Sequence, residues 1–118
     1  MIKLIALLKR REGMTFPDFI NYYEGKHKVL ALKYITHANR YFRRFLYPLG
    51  SNSGPEADRE YDVITEIWFD DQESFDKCLA HLGSPDIKAI ITADEDRLFD
   101  RKSMRFFTVE EKEDPLPQ

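Results

Sequence analysis

The chain opens on a short apolar run rich in branched side chains over residues 2–9, closed by Arg10, Arg11, Glu12 and Gly13, which predicts a strand and a turn. Thr15 then stands as a helix N-cap, with Pro17 in the first turn and Asp18 three residues after the cap. Behind it Phe16, Phe19, Ile20, Tyr23, His27, Leu30 and Ala31 fall on one helical stripe, which predicts a helix over about residues 15–30. Residues 35–47 interleave β-branched and aromatic residues with polar ones and suit a long strand. Residues 48–60 lose all periodicity to Gly, Pro, Ser and Asn, so a surface loop is expected there. A third strand follows over residues 61–70. Asp70 or Asp71 then caps a helix in which Phe75, Cys78, Leu79 and Leu82 repeat on one face. Gly83 stops that helix, Ser84 and Pro85 start a short one carrying Ile87, Ile90 and Ile91, and residues 103–111 make a fourth strand.

The order β, α, β, β, α, β is the split βαβ arrangement of an α+β, ferredoxin-like domain with an antiparallel four-stranded sheet. It occupies residues 1–110, and residues 111–118, EKEDPLPQ, are a polar tail that cannot pack a core. A sheet covered by helices on one face should be polar on the other. These strands are not. Leu4, Ala6 and Leu8 oppose Ile5 and Leu7 in the first, and Val63, Ile67 and Phe69 oppose Ile64 and Trp68 in the third. Two apolar faces imply a second cover, and the commonest is the same sheet from another copy, so a homodimer is expected.

The size, 118 residues, suits one domain with a core of its own. With 21 acidic against 18 basic residues the net charge is −3, which argues against nucleic acid as partner despite the cluster Arg40, Arg43, Arg44. The lone Cys78 lies in an apolar stripe and forms no internal disulfide, which fits a cytoplasmic protein. The five apolar residues between Lys3 and Lys9 are too few to span a bilayer, so no membrane anchor is expected.

Chemistry enters with His27, a titratable imidazole where the stripe calls for Leu. It is either a buried residue hydrogen-bonded near a helix C-terminus or the working group of a small active site. His37 and His81 have no companions at ligand spacing, so no metal site is expected, and no Gly-rich phosphate loop occurs. The run Asp94-Glu95-Asp96 reads as a solvated helix end.

Phe19, Tyr22, Tyr23, His27 and Leu30 resemble the F-x-x-Y-[WY]-x-x-x-H-x-x-L helix of the EthD family. Tyr61, Asp62, Glu66, Trp68, Phe69 and Phe75 resemble its third strand and following helix, and Asp96, Phe99 and Asp100 its closing segment. The resemblance implies a dimeric α+β barrel in a superfamily of muconolactone isomerases, polyketide cyclases, cofactor-free monooxygenases and haem-handling proteins, with the ligand held between helices and sheet inside each subunit. Family members usually carry Pro two residues after the His. Val29 stands here, so the helix is free to run on past His27.

On this resemblance His27 would move a proton to or from an activated carbon. Tyr41, at a position similar to a cavity-lining Tyr of the muconolactone isomerases, would stabilise the resulting oxyanion. Phe19, Tyr23, Tyr61, Thr65 and Ile67 would form the walls. Asn39 shares Tyr41's strand face, as does Arg43, which could hold a carboxylate in bidentate fashion. Those isomerases use a Cys on the third strand where Ile67 stands, so their two-group mechanism does not carry over. Asp62 and Glu66 share Trp68's parity and should face the partner sheet, bonded to backbone or to arginines across the dimer. The implied function is a cofactor-independent lyase or isomerase of a small aromatic, lactone or polyketide-like substrate. The alternatives are a non-catalytic binding or accessory dimer of an oxidative pathway, and an oxygenase or haem handler with His27 as axial ligand.

Overall fold

The computed structural model describes residues 1–50, 53–54 and 57–118. Positions 51, 52, 55 and 56 of the expected 48–60 loop lie outside the described residues. The elements run β1 (Ile2–Leu8), α1 (Phe16–Tyr22), a π turn (Tyr23–His27), α2 (Lys28–Tyr34), β2 (Arg40–Phe45), β3 (Val63–Phe69), α3 (Gln72–Leu82), α4 (Pro85–Leu98), a 3-10 turn (Arg101–Ser103) and β4 (Arg105–Thr108). The sheet is antiparallel in the order β2-β3-β1-β4, the ferredoxin-like α+β architecture.

The helix starts follow the capping logic of the sequence. Thr15 Oγ1 accepts from the Asp18 N–H at 3.2 Å with Pro17 behind it, and Asp71 accepts from the Ser74 N–H at 2.8 Å. Four lengths differ from expectation, the last strand being confined to Arg105–Thr108. The first helix continues through the π turn to Tyr34, since Val29 leaves its backbone N–H in the ladder where a Pro would not. The second strand begins only at Arg40, because His37 takes a positive φ of 61° and turns the chain after Ile35. The last helix spans 14 residues, carrying Asp94 and Glu95 into the fold.

Period-two alternation sorts β3 cleanly. Val63, Thr65, Ile67 and Phe69 are buried under the helices, while Ile64, Glu66 and Trp68 form the other face. The core gathers Ala6, Leu8, Phe16, Phe19, Tyr23, Val63, Leu98 and Phe99, and a smaller cluster joins Ile67, Phe69 and Cys78. Phe19 is its centre, fully buried and edge-to-face with Tyr23, Phe45 and Phe99 at centroid distances of 6.1, 6.2 and 5.9 Å.

Asp62 and Glu66 find their arginines within the chain. Fully buried Asp62 accepts the Arg10 N–H at 2.8 Å and lies 3.7 Å from the guanidinium Nε of both Arg10 and Arg59. Glu66 takes Arg44 at 2.7 Å and the indole N–H of its strand neighbour Trp68 at 3.0 Å. The other sheet face is thus apolar area crossed by ion pairs and by cations on rings, among them Lys3 Nζ 3.9 Å from the Trp68 ring centre.

Phe19→Ala should cost about 3–5 kcal/mol, because a fully buried aromatic hub leaves a cavity its neighbours cannot fill. Urea unfolding measures this as a fall in the midpoint.

Candidate functional site

The π turn is where local sequence becomes site geometry. The N–H of Lys28 donates to the carbonyl of Tyr23, five residues back rather than four, so one extra residue is accommodated in the turn that ends at His27. Gly25 lies within it, exposed, with open space around a would-be Cβ. Phe19 and Tyr23 keep α-helical spacing and point into the core, and His27 follows as a buried residue, 8% exposed. Its ring stands edge-to-face with Tyr23 at 5.1 Å and with Phe99 at 5.3 Å, which fixes the imidazole plane.

His27 Nδ1 is 2.8 Å from Asp94 Oδ2, and Tyr22 donates its hydroxyl to the other oxygen, Oδ1, at 2.6 Å. A carboxylate has no proton to give, so the hydrogen sits on Nδ1 and Nε2 carries the lone pair. Burial pushes His27 below its ordinary value of 6.5, an effect partly offset by the hydrogen bond and charge of Asp94. The imidazole is therefore neutral at neutral pH, the state of a base.

His27 opens onto a cavity of about 310 Å³ between helices and sheet. β1 contributes Leu4, Ala6 and Leu8 to its lining, α2 Leu30, Ala31 and Tyr34, and α3 Leu79 and Leu82. Ile91 and Glu95 come from α4, and Phe99, Met104 and Phe106 from the segment after it. The volume suits a molecule of one or two small rings, at the lower end for ligand sites. Its polar groups converge from few directions. Tyr23 Oη is 2.5 Å from Thr65 Oγ1, and Tyr41 donates to Tyr23 Oη over a long 3.4 Å. Burial pushes the Tyr41 phenol far above its ordinary value, so it keeps its proton and acts as a hydrogen-bond donor.

Of the residues singled out from sequence, His27, Tyr41, Tyr23, Thr65 and Ile67 share this wall. Four do not. Phe19 is packed one turn below it in the core. Asn39 is exposed and donates to Asp70. Arg43 is occupied by Glu24, in a two-point contact of Nε at 3.0 Å and Nη2 at 2.8 Å, because Glu24 on the π turn faces the end of its strand. Tyr61 precedes β3 and lies outside the cavity.

Asp94 and Glu95 were legible only as a solvated helix end. Their side chains are 12% and 17% exposed, while that of Asp96 is 61% exposed. The spacing that betrays them is helical phase: residues 94 and 95 share a flank with Ile87 and Ile91. Burial pushes the Glu95 carboxyl above the usual carboxylate range, against the pull of Arg101. Among the described residues no group of three or more His, Cys, Asp and Glu is placed to hold a metal ion, and no helix is long and apolar enough to cross a membrane.

The EthD domain model matches residues 11–102, which include His27, its carboxylate partner and most of the cavity wall. The chain belongs to the EthD family. Solved structures agree on the fold. An EthD family protein from Bacillus halodurans is 22% identical with a TM-score of 0.65, covering 95% of this chain and 99% of that one. An EthD-like protein from Ralstonia eutropha is 18% identical with a TM-score of 0.57, over 92% and 86%. A dimeric ferredoxin-like protein from Thermobifida fusca is 20% identical with a TM-score of 0.58, over 92% and 88%. Among curated proteins none matches the chain.

His27 should titrate below 6.5 in proton NMR of the folded protein, and Asp94→Asn should lower it further by removing the carboxylate that offsets burial. A folded value below the unfolded one means the unfolded state binds the proton first. Stability is accordingly full above about pH 6.5 and lost as pH falls from there to the folded value, a loss that His27→Gln should remove from the pH dependence of unfolding.

Proposed function

We propose that this EthD protein is a cofactor-independent isomerase or lyase that moves a proton to or from carbon in a small, uncharged aromatic, lactone or polyketide-like substrate. The observation that carries this reading is the His27–Asp94 pair in the wall of an apolar cavity, which occupies Nδ1 and leaves Nε2 with the lone pair. Asp94 orients the ring and stabilises the imidazolium that forms when Nε2 takes a proton. Tyr41 supplies a hydrogen bond to the oxygen on which charge develops; its 3.4 Å contact with Tyr23 is weak enough to be exchanged for one to a ligand. The substrate is uncharged on this reading. No Lys or Arg is among the described lining residues, and Arg43 is held by Glu24.

The working form is proposed to be a homodimer through the outer sheet face. Ile5, Leu7, Ile64, Phe42, Trp68 and Phe107 lie there by strand parity, and Phe107 is 50% exposed. The Thermobifida fusca structure, of the same fold, is described as dimeric. Sedimentation should give a dimer, and Ile5→Glu, at the middle of the central strand, should give a folded monomer by circular dichroism.

The catalytic reading is tested with β-tetralone, an uncharged two-ring ketone, in deuterated water. Wild-type protein should catalyse exchange of its activated carbon-bound protons, followed by proton NMR. His27→Ala should slow that exchange by roughly 10²–10⁴-fold, the contribution typical of a positioned base. Saturable binding of the ketone with no exchange above the buffer rate would favour a binding or accessory protein.

A further inference from the structure

We infer that Glu95 is the second proton-transfer group of this cavity: its carboxyl O–H serves the carbonyl oxygen of an uncharged ketone while His27 takes the proton from the adjacent carbon. The inference rests on the reading of His27 as base and adds an acid to it. Position argues first. Asp94 and Glu95 are neighbours near the end of α4; the carboxylate of Asp94 meets His27 Nδ1, and the helical rotation between the two brings Glu95 into the cavity lining. The nearest cation to Glu95, Arg101 Nε, stands at 3.7 Å, beyond hydrogen-bond reach and on a half-exposed side chain. The carboxyl is thus largely enclosed by an apolar lining with no short charged bond to hold it ionised.

The surroundings act, on balance, toward the neutral form. Burial favours the neutral acid, Arg101 from the 3-10 turn opposes, and Asp96 and Asp94 on the same helix add to burial. The other titratable groups of the cavity lining are His27 and the phenols of Tyr23, Tyr34 and Tyr41, none of them a cation in the neutral-pH state of His27. A neutral carboxylic acid and a phenol that serve one oxygen are a recognised donor pair for an enolate, and Glu95 and Tyr41 line the same cavity. The division of labour follows from proton affinity: Tyr41 holds its proton too tightly to transfer it, and Glu95 does not.

The step balances without any co-reactant. The C–H bond next to the carbonyl breaks, its proton goes to His27 Nε2, and its electron pair becomes the enol C=C. The carbonyl π pair takes the Glu95 proton, leaving a carboxylate and an imidazolium. Once the imidazolium has traded its proton for one from solvent, return to the same carbon gives exchange; return to a conjugated carbon further along gives isomerisation. Glu95 recovers the O–H proton in either case.

The experiment is the pH profile of β-tetralone exchange by wild type, His27→Ala, Glu95→Gln and Arg101→Gln. The expected wild-type profile is a bell whose acid limb is His27 gaining a proton and whose basic limb is Glu95 losing one. Glu95→Gln, close in shape, should lower the rate roughly 100-fold and abolish the basic limb. Arg101→Gln should move that limb to higher pH. A purely structural Glu95 would leave the limb in place in the Gln variant at the wild-type rate. That result, with His27→Ala inactive, removes Glu95 and spares the base. Should His27→Ala also exchange like wild type, or wild type not exceed the buffer rate, both assignments fall. Carboxyl-carbon NMR of the unaltered protein tests Glu95 independently of any variant's folding: titration above the ordinary carboxylate range supports the acid, and titration within it overturns it.

Discussion

The hydrogen bond between His27 and Asp94 is the constraint on which the site depends. It joins the first helical segment to the last turn of α4 across 67 positions of sequence, and it is made between two side chains that are both nearly closed to water. Without the carboxylate, a neutral imidazole in an apolar wall could present either nitrogen to the cavity. With it, Nδ1 is committed to Asp94 and the lone pair is left on Nε2. Tyr22 completes the arrangement by occupying the second carboxylate oxygen, so Asp94 is held from both sides by residues of one helix.

The π turn is the backbone counterpart of that bond. An uninterrupted α-helix from Phe16 onward would close its hydrogen bonds four residues apart throughout; here the closure widens once, between Tyr23 and Lys28, just at the turn that carries His27. Such a turn costs backbone stability, and it persists here where rings on both sides, Tyr23 and Phe99, pack against the imidazole. Below it, Phe19 and its aromatic neighbours form a filled core. Above it, smaller aliphatic residues from α2, α3 and α4 leave the space unfilled. The boundary between packed core and cavity runs through His27.

Electrostatics divides the polar residues into two populations. Asp62, Glu66 and Glu24 each meet arginines within the chain, and these pairs order the ends and outer face of the sheet. His27, Glu95 and Tyr41 line the cavity, and in each burial outweighs the compensating partners and shifts the group toward its neutral form. That contrast separates structural from chemical candidates better than residue type does: Arg43, suited by chemistry to bind a carboxylate, is committed to Glu24.

The element order, the ferredoxin-like class and the stripe bearing His27 are legible in the chain because they rest on local rules: alternation in Val63–Phe69, the Thr15 and Asp71 caps, and helical spacing from Phe16 to His27. Tyr41, Thr65 and Ile67 could be placed on the cavity side by parity and family pattern, since a strand's two faces are fixed by its period. The acidic run at the end of α4 was misread as solvated because charge patterning alone does not tell which flank of a helix another helix will cover. Face alone makes Arg43 a carboxylate binder and Tyr61 a wall residue; partner choice and depth along the strand are properties of the packed molecule. What the sequence by itself determined was which residues share a face. Which of those faces enclose a void, that Glu95 lines it and that Asp94 meets His27 was decided by tertiary packing, because contacts between residues 67 positions apart have no local signature.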